Sequence, residues 1–128
     1  MRAAAEHAIV SQTNGPMAKT EEMTLEEALR HGPPPPGNLA VPIFRHGSLE
    51  VEMYMPAGTD PQTAHERDEV YVVARGAGLF FNGSERRQVQ SGSFIFVPAR
   101  QEHRFESFSP DFAVWVFFYG PVGGETAG

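Results

Sequence analysis

The sequence predicts an all-β domain, a sandwich or barrel, preceded by a short helical and extended arm. Three observations carry this expectation. Strand-length apolar runs recur every 8 to 12 residues between positions 49 and 119, with no helical period between them. Asn82-Gly83 stands between two of those runs, and Asn-Gly is the strongest short hairpin signal because both residues accept a left-handed backbone. The 13 glycines and 11 prolines, 24 of 128 residues, ask for frequent turns.

Residues 1 to 38 read as an N-terminal extension. Met1 to Pro16 has no sustained apolar period, and Met17-Ala18-Lys19 looks like a start of its own. The first 16 residues are therefore expected to be poorly ordered or to precede the true beginning. Thr24 to His31 fits a short helix. Thr24-Leu25-Glu26-Glu27 has the Thr-x-x-Glu spacing of a capping box, Gly32 ends the helix, and Pro33 to Pro36 form a stiff extended spacer.

Residues 39 to 121 hold the strands. Leu49, Val51, Met53 and Met55 alternate with Glu50, Glu52 and Tyr54, the pattern of a half-buried strand that Pro56-Ala57-Gly58 breaks. Glu69 to Arg75 is a second strand, followed by Gly76 and Gly78. Leu79 to Phe81 and Ser84 to Val89 flank the Asn-Gly turn. Phe94 to Val97, His103 to Phe105 and Phe112 to Tyr119 complete the set. Phe94 and Phe96 share one alternation face and Met53 and Met55 another, and both pairs are expected in the core. The last strand is apolar on both faces, with Phe112, Val114, Val116 and Phe118 opposite Ala113, Trp115, Phe117 and Tyr119. Its second face needs the N-terminal segment or a second subunit as cover. His7, His31 and His46, and Arg86 and Arg87, are expected at the surface. Residues 122 to 128 are Gly-rich and expected to fray.

Composition narrows the function classes. A net charge of −6 argues against a nucleic-acid binder that works through a basic surface. No apolar run approaches the roughly 18 residues of a membrane-spanning helix. With no cysteine, disulfides, thiolate metal sites and cysteine nucleophiles are excluded. No secretory signal pattern is visible at the N-terminus, so a cytoplasmic location is the expectation.

The polar residues that call for explanation lie in two stretches, Gly58 to Glu69 and Pro98 to His103. His65 and Glu69 flank a turn into a strand, and His103 begins another. Two imidazoles and a carboxylate are the minimum set for a divalent transition metal that keeps open positions. Taken singly, each has an ordinary reading. A histidine beside a turn is usually solvated or hydrogen-bonded, and Glu69 beside Asp68 reads equally as a charged strand end.

Together the two stretches resemble the two motifs of the cupin superfamily, small β-barrels of the double-stranded β-helix, or jelly-roll, type. Six residues separate Glu69 from Gly76 and three separate His65 from Glu69, as in the first motif. Gly92, Pro98 and His103 stand at the spacings of the second, and fifteen residues lie between Gly76 and Gly92, the short spacing of small single-domain members. The resemblance covers roughly residues 41 to 120. It is similar, more narrowly, to small cupins with an Asp-x-Gln-x-x-His-x-x-Asp-Glu-x-Tyr-Val-Val run, here Asp60 to Val73.

Three positions depart from the pattern. The first motif histidine is absent. Thr63 takes its place in one register and Gln62 in the other, where a bulge at Pro61 would turn it inward. Gln62 has the longer reach and a carbonyl oxygen that can bind a metal, with water as the alternative fourth ligand. Arg100 replaces the second-motif glycine, so that turn is expected to differ. Ser107 replaces the asparagine, which is expected to be harmless.

The resemblance implies one divalent transition metal, iron, manganese, nickel or zinc, on His65, Glu69 and His103, with Gln62 as a candidate fourth ligand. Thr63, Tyr71 and Phe105 are candidates for the pocket wall. No catalytic residue can be assigned. The implied function is a metal-dependent enzyme acting on a small organic molecule, of dioxygenase, lyase or isomerase class. A non-catalytic binding or sensing barrel is the alternative, as is a metal-free sugar isomerase or epimerase. The last would need a basic cluster at the pocket mouth, which the sequence lacks. A homodimer is the expected assembly, with neither nucleic acid nor membrane as partner.

Overall fold

The computed structural model describes residues 10–11, 19–32, 34, 36 and 39–126. The expectations for residues 1–16 and for the proline spacer fall largely outside that range. The exceptions are a two-residue strand β1 (Val10–Ser11) and isolated positions 34 and 36.

The helix forms where its cap predicts. In α1 (Leu25–Leu29), Thr24 Oγ1 accepts from the Glu27 N–H at 3.1 Å, and Glu27 Oε1 accepts from the Thr24 N–H at 2.8 Å. The reciprocal pair satisfies two of the amides that a helix start leaves without partners. The helix is shorter than the sequence suggests, because its last cap falls at Arg30.

Eight further strands follow: β2 (Ala40–His46), β3 (Leu49–Tyr54), β4 (Asp68–Arg75), β5 (Ala77–Phe81), β6 (Arg86–Gln90), β7 (Phe94–Val97), β8 (Arg104–Glu106) and β9 (Ala113–Tyr119). They build two sheets, one of six strands in the order β1-β2-β3-β9-β4-β7 and one of three in the order β6-β5-β8. Strand β2 carries no clear signal in the sequence, because Pro42 interrupts it. The chain accommodates the proline at a register shift between Pro42 and Phe44.

Two cores result. Between the sheets lie Tyr71, Val73, Phe80, Val97, Phe105 and Phe112 with their neighbours. On the outer face of the large sheet, Val41, Ile43, Val51, Met53 and Ala113 pack with Ala28 of the helix, flanked by Met23 and Leu25. The two-sided last strand is resolved in this way. Its even-numbered residues 112–118 face the inner core, and Ala113, Trp115 and Phe117 face the layer under the N-terminal segment. Met53 is fully buried, but in this outer layer rather than inside the barrel.

One expectation fails here. Phe94 and Phe96 are 68% and 49% exposed, not core. Alternation puts them on one face of β7 and cannot say which face is inside. Ile95 and Val97 point inward instead. The two phenylalanines sit beside Val72 and Val70 on the outer face, continuing toward Trp115 and Phe117.

Gly76 illustrates why the strand connections need glycine. Its φ is +82°, and a Cβ there would come within 2.9 Å of the Phe112 Cα. In the described part of the C-terminal stretch, the Gly123 N–H donates to the Glu66 carbonyl at 2.7 Å and the Glu125 N–H to Asp68 Oδ2 at 2.8 Å. Arg86 is exposed as expected, yet it pairs with Glu106 at 2.7 Å and lies over the Phe81 ring.

Candidate metal centre

Alternation in β4 sends Glu69, Tyr71 and Val73 into the space between the sheets. His65 lies in the loop that leads into β4, three residues before the strand begins, and His103 immediately precedes β8 in the facing sheet. The three candidate ligands therefore meet from separate segments. One ligand atom each from His65, Glu69 and His103 lies within 4.8 Å of the others. Glu69 Oε1 is 3.0 Å from His103 Nε2 and 3.6 Å from His65 Nε2.

The environment of Glu69 is the most informative feature. Its side chain is 1% exposed, and neither carboxylate oxygen has a hydrogen-bond partner of proper geometry. A buried carboxylate in that state is strongly disfavoured unless a cation compensates it. The residues present thus fit a divalent cation, with a hard anionic oxygen and two imidazole nitrogens converging on one point.

Gln62 stands at the same point. Its Nε2 donates to Asp60 Oδ2 at 2.6 Å. A carboxylate can only accept, so this bond orients the amide and turns Oε1 toward the site. Oε1 is 3.1 Å from His65 Nε2 and accepts from the Tyr71 hydroxyl at 2.8 Å. Thr63, the alternative in the other register, also borders the cavity, but it is exposed.

Asp60 is the residue the sequence reasoning passed over. It is 8% exposed and gathers four donors: the Tyr54 hydroxyl, the Gln62 N–H at 3.2 Å, Gln62 Nε2, and the Phe105 N–H at 2.8 Å. It ties the loop carrying Gln62 and His65 to β3 on one side and to β8 on the other. Its place two residues before Gln62 was visible, but nothing in the sequence signals which loop carboxylate will be buried.

His103 is set by its neighbours. Nδ1 meets the Gln101 carbonyl at 2.7 Å, which makes Nδ1 the donor and leaves Nε2 facing Glu69 and, at 3.0 Å, the Tyr71 hydroxyl. Gln101 is itself anchored, since its Nε2 donates to the Asn82 carbonyl at 2.7 Å. That contact needs a glycine at the hairpin, because a Cβ on Gly83 would lie 2.5 Å from Gln101 Nε2. The Asn-Gly turn therefore helps to place His103.

The two imidazoles titrate in opposite directions. Burial disfavours the charged form of His65 and lowers its pKa, against the pull of Glu69. Burial also opposes charge on His103, but the Glu69 carboxylate and the Gln101 carbonyl outweigh it and raise its pKa. Without a metal, a proton on His103 Nε2 is the charge available to Glu69. Burial, reinforced by Glu69 and Asp60, holds the Tyr71 phenol well above its ordinary pKa, so it stays a donor.

A cavity of about 330 Å³ opens over Glu69, with His65, Gln62, Tyr71, Glu52 and Phe118 among its walls. Phe118 lies edge-on to His65 at 5.1 Å between ring centroids. Phe105, expected at the pocket wall, is 1% exposed in the inner core, 5.0 Å from the Tyr71 ring, and does not line the cavity. Arg100 also departs from expectation. It adopts the left-handed conformation of the glycine it replaces, with φ +67°, and its N–H donates to the His65 carbonyl. Ser107 is left-handed as well, at φ +50°.

Two facing sheets with a His-Glu-His cluster between them define a small double-stranded β-helix protein with a candidate metal centre. The family comparison agrees with that class: residues 50–119 match the cupin domain model, and the chain belongs to the cupin family. A protein of Streptomyces coelicolor is 40% identical over 81 residues, 62% of this chain and 77% of that protein. A double-stranded β-helix protein of Klebsiella pneumoniae superposes with a TM-score of 0.63 at 13% identity, covering 79% of this chain and 90% of the other. The DMSP lyase DddQ of Ruegeria pomeroyi superposes with a TM-score of 0.54 at 28% identity, over 64% of this chain and 42% of the lyase. No helix among the described residues is long and apolar enough to cross a membrane.

Proposed function

We propose that this chain is a metal-dependent enzyme that acts on a small organic molecule in the cavity between its sheets. His65, Glu69 and His103 are the metal ligands in this reading and Gln62 Oε1 is the fourth. The observation that carries it is the buried Glu69 carboxylate, with no hydrogen bond of proper geometry and flanked by two imidazole Nε2 atoms at 3.0 and 3.6 Å. A divalent transition metal would supply Lewis acidity toward a carbonyl or carboxylate oxygen, and redox chemistry if it is iron or manganese.

The chain's own residues supply the rest. The Asp60–Gln62 bond holds the Gln62 oxygen at the site, and Gln101 holds the His103 ring. The Tyr71 hydroxyl keeps its proton and donates it to Gln62 Oε1, which helps to hold that oxygen at the site beside His103. Phe118 and Val116 line the cavity and keep water from one side of it. Within the lyase, isomerase and dioxygenase classes, similarity to a lyase over 64% of this chain supports lyase chemistry.

The test is elemental analysis of tag-free protein after reconstitution, with wild type beside His103→Ala and Glu69→Gln. About one metal per chain in wild type, lost in both variants, supports the reading. No metal in any of them overturns it in favour of a ligand-binding barrel.

We further propose that the exposed Phe94–Phe96 face pairs with a second copy, since it continues through Val70 and Val72 toward Trp115 and Phe117, and contiguous apolar surface is what monomers seldom leave to water. Light scattering on wild type and on a Phe94→Ser, Phe96→Ser double variant tests this. A 14.1 kDa wild-type species would refute it.

A further inference from the structure

The charge inside the cavity is one-sided. Glu52 projects from β3 into it, on the inner face that also carries Tyr54, and it lines the wall together with Glu69. Among the described residues, no lysine or arginine lines the same cavity. The nearby arginines are engaged elsewhere. Arg45 and Arg67 approach Glu50 at 3.4 and 3.3 Å, and Arg67 also donates to the Gly120 and Ser48 carbonyls. Among the described residues, no ion pair or hydrogen bond neutralises Glu52. Burial, then the Glu50 and Glu69 carboxylates, raise its pKa, the direction expected for an acid that lacks a cation nearby.

With a divalent metal on Glu69, the Glu69 charge is absorbed and Glu52 balances the remainder. A monoanionic ligand alone would then leave an uncompensated negative charge in a partly enclosed site, and a phosphate ester would leave more. A ligand that is neutral as a whole leaves none. The apolar wall of Leu39, Ala40, Val116 and Phe118 adds that its middle is hydrocarbon, and about 330 Å³ limits it to a small molecule.

We propose that Glu52 is a specificity-determining residue and that the cavity selects small zwitterions, with a carboxylate at the metal and an ammonium-like cation at Glu52, while it rejects phosphate esters and dicarboxylates. This rests on the metal-site reading above.

The test separates the two. Cobalt(II) is loaded first and its stoichiometry measured. Three probes of similar length, 4-aminobutyrate, pentanoate and glutarate, are then titrated into wild type and Glu52→Gln. Their far ends are cationic, neutral and anionic, and the cobalt absorption spectrum reports binding. Wild type is expected to bind 4-aminobutyrate about tenfold tighter than pentanoate, the scale of a charge-assisted contact, with glutarate weakest. In Glu52→Gln the three affinities should converge. Failure to load cobalt overturns the metal reading and this one with it. Cobalt bound with equal affinities in wild type, or a preference that survives Glu52→Gln, overturns the zwitterion proposal alone. Because the wild-type series already decides the question, the proposal stays falsifiable even if the variant does not fold.

Discussion

Asp60 offers the sharpest test of how the candidate site is held. Its Oδ1 accepts from the Tyr54 hydroxyl and the Gln62 N–H, and its Oδ2 from Gln62 Nε2 and the Phe105 N–H. Asp60→Ala removes all four acceptances. The Phe105 N–H and the Tyr54 hydroxyl are buried, so each loses its partner without gaining water. At about 1–3 kcal/mol for each orphaned group, with Gln62 free to turn to solvent, the loss should be about 4 kcal/mol. Asp60→Asn keeps the shape. The Asn oxygen can face Phe105 and Gln62 Nε2, and the Tyr54 hydroxyl can rotate to accept from the new amide, which leaves the part-buried Gln62 N–H and the Tyr54 hydroxyl proton without their acceptor. That should cost about 2–3 kcal/mol, less than Asp60→Ala because the Phe105 N–H keeps its partner. Urea unfolding followed by Trp115, the single tryptophan, measures both at constant m. If Asp60→Ala loses less than about 1 kcal/mol, Asp60 does not anchor the loop. If Asp60→Asn is as damaging as Asp60→Ala, acceptor geometry is not what holds it.

Two further outcomes follow from the same geometry. Arg100 holds a left-handed backbone that costs a non-glycine residue about 1 kcal/mol, and its ion pair with Glu66 joins side chains 63% and 65% exposed, so Arg100→Gly should be more stable than Arg100→Ala by about 1 kcal/mol in the same unfolding assay; equal stabilities would show that the turn is unstrained. In metal-free protein the raised His103 pKa contributes stability that is fully present below its unfolded value near 6.5 and is lost as pH rises through the folded value. The lowered His65 pKa works the other way, adding stability above 6.5 that is lost as pH falls through its folded value. Thermal melts with chelator, on His103→Gln and on His65→Gln separately, should therefore show pH slopes altered with opposite sign. Slopes altered in the same direction would refute the assignment.

Much of the fold was legible because its signals are local. The capping box at Thr24 and Glu27, the Asn82-Gly83 hairpin and the alternation in β3, β4, β7 and β9 all act within a few residues. Strand β2 was not legible, since Pro42 masks its period and its bulge is fixed by pairing with β3. Phe94 and Phe96 were misplaced for a related reason. A period of two gives two faces, but only the partner sheet decides which is inside. At the site, spacing identified His65, Glu69 and His103, which the fold brings within 4.8 Å. Phe105 was a candidate for the pocket wall, but the inner core takes its ring instead. Arg100 shows that a residue type poor at positive φ can still be held there when a hydrogen bond to the His65 carbonyl closes the turn.

Three carboxylates near one cavity have three fates, and the donors around each decide which. Asp60 is buried among four donors, so its charge is spent within the protein and the group becomes an anchor. Glu69 is equally buried but receives no donor of good geometry, so its charge stays available to whatever cation arrives between the two imidazoles. Glu52 is half-buried at the cavity wall and has no ion-pair partner among the described residues, so its charge faces the ligand. Composition alone makes the three equivalent. Their separation depends on where the β3, β4 and β8 backbones place N–H and O–H groups, which is a property of the fold. An exchange of environments would exchange the roles: a donor introduced beside Glu69, for instance by Phe118→Asn at the position paired with Glu69 on the neighbouring strand β9, should weaken metal binding relative to Phe118→Leu without replacing a ligand, as that new bond would have to be broken before a cation could bind. Equal metal affinity in correctly folded Phe118→Asn and Phe118→Leu variants would break the link between Glu69's missing donors and its role.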